Sequence, residues 1–142
     1  GSEAMLSGEF GESFIAYLLC KEGINIVRAS TVGFDLFAVD PTGKIFPKKK
    51  LVGISVKARI SKSHNKFVPT IPLGSEKIKA SMKIWNAAAY MGIVVGSKDK
   101  KLDVFLAPFK SARKFRGKAK RADVLAVSKL YSDKNGTVIK LF

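Results

Sequence analysis

Cysteine and histidine are almost absent from this chain of 142 residues, which holds one of each, Cys20 and His64. One cysteine excludes an internal disulfide, and together the two residues cannot supply the ligands of a Cys/His zinc site. His64 lies in a polar, lysine-flanked stretch, and nothing nearby supplies a nucleophile elbow or an orienting carboxylate. A Ser–His or Cys–His catalytic pair is therefore not indicated. Cys20 falls in an apolar, helix-patterned stretch and is expected to be a buried thiol.

Acidic residues are also scarce, because 11 Asp and Glu stand against 26 Lys and Arg, a net charge of +15. This excess is larger than solubility requires and predicts a polyanionic partner. Neither a run of eighteen apolar residues nor a lysine-rich amphipathic helix is present, so nucleic acid is favoured over a membrane.

The composition is that of a globular protein, with 46% hydrophobic residues. We expect one domain over residues 5–142, since Gly1 to Ala4 ahead of Met5 are typical of a cloning remnant. The lone cysteine and the lack of a signal-peptide pattern favour a cytoplasmic, prokaryotic-like location.

Hydrophobic periodicity predicts an α/β domain. A first helix is expected over residues 8–22, ending at Gly23, and three short strands at 24–29, 34–39 and 51–59 form a meander. Residues 61–72 are expected to be irregular because Pro69 and Pro72 interrupt them.

Ser75 is the expected N-cap of a second helix, whose apolar stripe is Ile78, Met82, Trp85 and Ala89. Strands follow at 91–96 and 102–107. The order is thus α-β-β-β-α-β-β, with C-terminal additions: a short basic helix after Pro108, a segment at 122–131 and an edge strand at 137–142.

Three charged residues interrupt otherwise apolar elements. Alternation in the third strand places Gly53, Ser55, Lys57 and Arg59 on one face and Ile54, Val56 and Ala58 on the other. A lysine within a strand is costly to bury without an anionic partner, and Asp35 of the second strand can supply one. Asp35 is expected to point opposite to Phe34, Leu36 and Ala38.

On the first helix, Glu12 shares a face with Ile15, Ala16 and Leu19 and should point toward the sheet, with Glu9 as the competing acid. Inward carboxylates can hold Mg²⁺ while a lysine orients a water, which is what phosphodiester hydrolysis requires. Each residue alone also has a structural explanation: Glu12 as an acid near a helix cap, Asp35 as a turn residue and Lys57 as an exposed strand lysine.

The order of these residues resembles the PD-(D/E)XK nuclease superfamily, and within it the archaeal Holliday junction resolvases. The matching strings are Gly8-Glu-Phe-Gly-Glu12, Tyr17-Leu-Leu, Gly23, Val27-Arg28, Gly33-Phe-Asp35-Leu and Ile54-Ser-Val-Lys57. The resemblance covers roughly the first sixty residues. It implies a restriction-endonuclease-like core, a mixed sheet of about five strands flanked by helices. It also implies a Mg²⁺ or Mn²⁺ site at Glu12 and Asp35, with Lys57 as the motif lysine.

Ser55 departs from the family pattern, because it occupies the place of the usual Asp or Glu. A neutral hydroxyl is a poorer Mg²⁺ ligand than a carboxylate. Some restriction endonucleases of this fold also read Ser-x-Lys and recruit a glutamate from the next helix, which nominates Glu76 here. Its alternative role is a first-turn acid that complements the helix dipole.

Basic residues are concentrated in a few segments, and we expect them to contact phosphates around the site. Trp85 and Phe115 could stack on bases, although Trp85 falls on an apolar stripe and is expected in the core. The candidate nucleic-acid-binding residues are Lys48, Lys49, Lys50, Arg59, Lys62, Lys66, Lys110, Arg113, Lys114, Arg116, Lys118, Lys120 and Arg121.

Three hypotheses follow. The first is a metal-dependent DNA endonuclease that acts on branched or distorted DNA, as a homodimer by analogy with resolvases. The second is a catalytically inactive nucleic-acid-binding module on the same fold, suggested by Ser55. The third is a basic structural or assembly protein with an acidic partner, suggested by charge alone.

Overall fold

The computed structural model describes residues 2–61, 70–97, 100–117 and 122–142. The elements are α1 (Ser2–Lys21), β1 (Asn25–Arg28), β2 (Leu36–Val39), β3 (Leu51–Ser61), β4 (Thr70–Pro72), α2 (Ser75–Trp85), β5 (Ala88–Ser97), β6 (Lys100–Pro108), α3 (Phe109–Ala112), β7 (Val124–Ala126), α4 (Val127–Tyr131) and β8 (Ile139–Lys140). Among the described helices, none has the length and hydropathy that a bilayer crossing requires.

A mixed sheet of six strands, in the order β1-β2-β3-β5-β6-β8, is the centre of the described chain. β1, β2 and β3 form the predicted antiparallel meander, and β5 joins β3 in parallel. The predicted order of the first seven elements is confirmed, apart from one short strand. The sheet exceeds the expected five strands because β8 pairs with β6 at the edge.

The prediction that residues 61–72 are irregular is wrong for the last three of them, which form β4. β4 pairs antiparallel with β7 in a separate two-stranded sheet, so a short strand forms despite Pro72. Pro72 is tolerated because the next amide makes the bond to the partner strand: Leu73 N–H donates to Asp123 O at 3.0 Å, and alternate residues of an antiparallel pair direct their N–H groups away. His64 and Pro69 lie outside the described residues.

Two hydrophobic cores lie on opposite faces of the sheet. One unites the buried side of α1 with inward residues of β2 and β3, including Ile15, Leu19 and Ile54. The other joins α2, α3 and α4 to the opposite face, through residues such as Ile78, Met91 and Phe109. Alternation along β3 therefore has the predicted consequence that successive side chains enter different environments.

Several local predictions at α2 are wrong. The N-cap is Gly74 rather than Ser75, and the first amide of the helix is instead bonded by a distant acid: the Ser75 N–H donates to Asp123 Oδ2 at 2.8 Å. Trp85 is 42% exposed rather than part of the core. Ala89 lies in β5, because the helix ends at Trp85 and Asn86 takes a left-handed conformation.

Three other features of the structure also differ from the sequence predictions. Cys20 is exposed, on the outer side of α1. The basic helix after Pro108 is shorter than expected, since α3 ends at Ala112 and Arg113 is its C-cap. Phe34 precedes β2 and packs in the α2-side core, whereas Leu36 and Ala38 lie on the α1 side, because regular pleating begins only at Leu36.

Gly53 of β3 leaves the space that Phe34 fills. A Cβ at Gly53 would lie 2.3 Å from the Phe34 ring, and that ring is buried. We predict that Gly53→Ala lowers the free energy of unfolding by about 1–3 kcal/mol through overpacking. A Cβ at Gly8 of α1 would meet no atom within 4 Å, so Gly8→Ala should raise stability by about 0.5–1 kcal/mol.

Urea titrations of both variants test this contrast. The two substitutions add the same methyl group, so equal shifts of the unfolding midpoint in the same direction would contradict the packing explanation.

Candidate functional site

Asp35 lies where β2 begins, and its carboxylate extends the β2–β3 ladder by one bond. The Asp35 N–H donates to Ile54 O at 2.9 Å, and the next amide of β3, Val56 N–H, donates to Asp35 Oδ2 at 2.7 Å. A side-chain acceptor therefore stands where a main-chain carbonyl would otherwise be needed. This bond fixes the half-buried carboxylate against β3.

Ser55 and Lys57 lie beside Asp35 in one groove. The groove has a volume of about 280 Å³ and is floored by the α2-side core, and its lining includes Asp35, Ser55, Lys57 and Lys77. Ser55 is buried and Lys57 is half-buried. The structure thus brings three of the four predicted catalytic residues together, on the β3 face that alternation predicted.

Glu12 approaches Asp35 from α1, on the other side of the sheet. α1 lies close to β3 at Gly11, where a Cβ would be 3.0 Å from Ala58 Cβ. Glu12 is half-buried, whereas Glu9, one turn earlier, is exposed. Gly11 therefore allows the close packing that carries Glu12 to the strand acid.

Burial raises the pKa of both acids above the ordinary values. For Glu12, the charges of Asp35 and Glu9 raise the pKa further, while the Arg28 guanidinium lowers it. For Asp35, the Val56 amide and the Lys57 charge lower the pKa but do not outweigh burial. Two neighbouring carboxylates that are costly to ionise form a place where a cation would be stabilised.

The donor set at this place fits a divalent ion of the Mg²⁺ type. Mg²⁺ is commonly bound by one or two carboxylates, with waters and substrate phosphate oxygens completing the octahedron. Glu12 and Asp35 supply two carboxylates, and Ser55 supplies a neutral oxygen in the same groove as Asp35.

Glu9 and Glu76 are the two candidates for a third metal-binding carboxylate, and neither lies with Glu12 and Asp35. In the described part of the chain, no three His, Cys, Asp or Glu side chains cluster in a metal-binding arrangement. Glu9 is exposed on α1. Glu76 lines a separate, wider groove, which has Lys57, Gly74 and Lys77 in common with the Asp35 groove.

The wider groove carries several basic residues next to the Asp35 groove. Its volume is about 660 Å³, and Arg113 and Arg116 line it together with Lys57 and Lys77. Asp123 also lines it; burial would raise the pKa of Asp123, but hydrogen bonds from Ser75 and the two arginine charges outweigh burial and lower it. A phosphate chain crossing this groove would meet several fixed positive charges.

The other predicted phosphate contacts are more scattered. Lys48, Lys49 and Lys50 precede β3, and Lys50 stands seven residues before Lys57, or about 23 Å at ~3.3 Å per residue, so contact between these lysines and phosphates at the site stays a prediction. Lys110 and Lys114 are exposed near α3, and Arg59 donates to Ala58 O at 2.9 Å. Lys62, Lys66, Lys118, Lys120 and Arg121 lie outside the described residues.

Sequence reasoning missed two residues at the site. Arg28 of β1 lowers the pKa of Glu12 and donates to Ser13 Oγ. Lys77 lines both grooves from the first turns of α2. Arg28 belongs to the Val27-Arg28 string that matched the nuclease family, so the sequence offered a signal for a role at the site. Lys77 is one of several similar lysines on α2, and nothing in the sequence distinguishes it from the others.

The raised pKa of Asp35 predicts a stability change of definite sign. A raised folded-state pKa means that ionised Asp35 opposes folding at pH values above it, and that this cost vanishes once both states are protonated. Asp35→Asn should therefore raise the melting temperature in EDTA at about pH 7, and the gain should shrink toward about pH 4.

Asp40 is the matched control, because its pKa is shifted in the opposite direction and its ionised form should therefore stabilise the folded state. Its buried carboxylate accepts backbone N–H bonds from residues 42, 43, 45 and 46, which outweigh burial and lower its pKa. The ionised carboxylate stabilises the folded protein at pH values above the unfolded-state pKa, and this stabilisation is lost as the pH falls through the folded-state pKa. Asp40→Asn should cost about 1–3 kcal/mol at neutral pH. Thermal melts in which both variants shift in the same direction would contradict these assignments.

Comparisons with known proteins give a match among solved structures. No protein-family model and no curated protein matches the sequence. Among solved structures, the chain is similar to Hjc, a Holliday junction resolvase from the archaeal hyperthermophile Archaeoglobus fulgidus, with a TM-score of 0.54 and 16% sequence identity. The alignment covers 85% of this chain and 89% of the resolvase chain. The chain therefore has the restriction-endonuclease-like fold that the resemblance to PD-(D/E)XK nucleases predicted.

Proposed function

We propose that this protein is a divalent-metal-dependent DNA endonuclease that acts on branched or otherwise distorted DNA. The observation that carries the proposal is the groove in which Asp35, Ser55 and Lys57 meet, with Glu12 near enough for the Asp35 charge to raise its pKa. The basic wider groove and the +15 charge of the chain support a nucleic acid as the substrate. The fold likeness to a Holliday junction resolvase supports branched DNA.

In this proposal, Asp35 and Glu12 hold the divalent ion. When bound, such an ion polarises the scissile phosphate and lowers the pKa of a coordinated water. The Val56 N–H holds the Asp35 carboxylate in place, so that little reorganisation accompanies substrate binding.

Lys57 is the residue proposed to act on the reacting atoms. Its ammonium group lies in the Asp35 groove, where it can orient the attacking water and offset the negative charge that builds on the phosphate oxygens. Arg113, Arg116 and Lys77 line the adjacent space and would bind the flanking phosphates.

Cleavage of labelled four-way junctions, nicked duplexes and linear duplexes, each with Mg²⁺ or Mn²⁺, tests the proposal. We predict that Asp35→Asn and Lys57→Ala each lower the rate by about 100-fold or more, because each removes a group needed in the transition state. Lys134→Ala is the matched control: it also removes one positive charge, but from an exposed loop.

Two results would reject the nuclease proposal. One is the absence of cleavage of all substrates with both metals. The other is equal cleavage by Lys57→Ala and Lys134→Ala.

A second candidate function is nucleic-acid binding without catalysis. Ser55 in place of an acid favours it, because one anionic ligand fewer weakens the hold on a divalent ion. This candidate predicts salt-sensitive DNA binding that is the same in EDTA and in Mg²⁺. The homodimer implied by the resemblance stays a prediction, which sedimentation at several protein concentrations tests.

A further inference from the structure

An exposed aromatic side chain stands at the end of α2, outside both grooves. Trp85, the one tryptophan of the sequence, is 42% exposed, and its ring packs on Phe37 with the centroids 5.0 Å apart and an interplanar angle of 62°. Phe37 is half-buried against the α2-side core. The indole is thus held by one neighbour while much of its surface stays in contact with solvent.

An apolar cleft lies on the surface of α2 about one turn before Trp85, whose neighbour Met82 is part of its lining. Lys79, Ala80, Met82 and Lys83 line it, and its volume is about 560 Å³. Met82 and Trp85 are three residues apart and therefore neighbours on the helix surface. The lining contains two lysines and no acid. We call Phe37, Lys79, Met82, Lys83 and Trp85 the Trp85 platform.

Aromatic packing connects the Trp85 platform to the Asp35 groove. The Phe37 ring packs edge-on against Phe34, with the centroids 5.8 Å apart, and Phe34 directly precedes Asp35. Along α2, Trp85 lies eight residues beyond Lys77, which is about 12 Å at ~1.5 Å per residue. That distance corresponds to about four nucleotides of a stacked strand at ~3.4 Å each.

We infer that the Trp85 platform binds an unpaired nucleobase of the DNA, about four nucleotides from the phosphate that lies beside Lys77. The inference rests on the proposed function, because it assumes that DNA lies in the Asp35 groove. A base can stack on the exposed indole, and the two lysine ammonium groups can contact its flanking phosphates. Bases within an intact duplex are covered on both faces, so the platform selects DNA with unpaired nucleotides beside a branch.

The charge of the platform argues against a second copy of this chain as the occupant. Each copy carries +15, and two such platforms would bring four lysines together without an acid between them. A strand of DNA supplies the compensating negative charge along with the aromatic surface.

Binding measured in EDTA tests the platform without any cleavage step. Because Trp85 is the sole tryptophan, its fluorescence reports directly on the platform. We predict that a short single-stranded oligothymidine quenches this fluorescence, and that a blunt duplex of equal length quenches it far less. Trp85→Ala should weaken single-strand binding by about 5- to 150-fold, the range expected for one base–aromatic stack.

Two variants control for folding and for general loss of an aromatic residue. Trp85→Phe keeps an aromatic face and should remain within about threefold of wild type. Tyr17→Ala removes a comparably exposed ring from α1, on the other side of the sheet, and should have no effect. Equal single-strand affinities of Trp85→Ala and Tyr17→Ala, or unchanged fluorescence at saturation, would overturn the inference.

The outcome separates this inference from the proposed function. If Trp85→Ala binds single-stranded DNA as tightly as wild type while wild-type junction cleavage is observed, the platform inference is rejected and the proposed function stands. Binding of neither duplex nor single strand, at low salt, rejects both. A change of sedimentation on Trp85→Ala without any change in DNA affinity would assign the platform to self-association and also overturn the inference.

Discussion

The hydrogen bond from the Val56 amide to the Asp35 carboxylate is the constraint on which the site depends. It satisfies a strand amide with a side chain, so regular β2 pairing starts only at Leu36 and the chain before it is free to turn. That turn places Phe34 over Gly53 and leaves Asp35 in the groove with Ser55 and Lys57. The free energy of burying the carboxylate is offset in part by this bond and by the Lys57 charge, and the pKa of Asp35 nevertheless stays raised.

The site is assembled from both sides of one sheet. From the α1 side, the close approach at Gly11 brings Glu12 toward Asp35; from the α2 side, Lys77 completes the groove around Lys57. β3 pairs in parallel with β5 over ten residues and antiparallel with β2 over four, so Ser55 and Lys57 are held along the β5 edge of the strand. The proposed hydrolysis would need charged groups in fixed positions, and the bond from the Val56 amide gives the Asp35 carboxylate such a position.

Much of this arrangement could be predicted from sequence, because it follows from short-range periodicity. Alternation along β3 separated Ser55 and Lys57 from Ile54, and helical spacing turned Glu12 inward. The errors arose where distant contacts decide the outcome. Asp123 bonds the N-terminus of α2 from forty-eight residues away, so the N-cap prediction at Ser75 failed. Trp85 lies on the apolar stripe but at the last residue of α2, where the sheet no longer covers it. Charge does not determine position, so the phosphate contacts expected of Lys48 to Lys50 stay a prediction.

The divalent cation site that we propose is formed by Asp35 and Glu12 beside Lys57. Isothermal titration of the DNA-free protein with Mn²⁺ probes this site without a substrate or turnover. We predict saturable binding that weakens as the pH is lowered, since both carboxylates must lose their protons, and that is lost in Asp35→Asn. Binding of the same strength in Asp35→Asn, or no detectable binding by the wild-type protein, would contradict it.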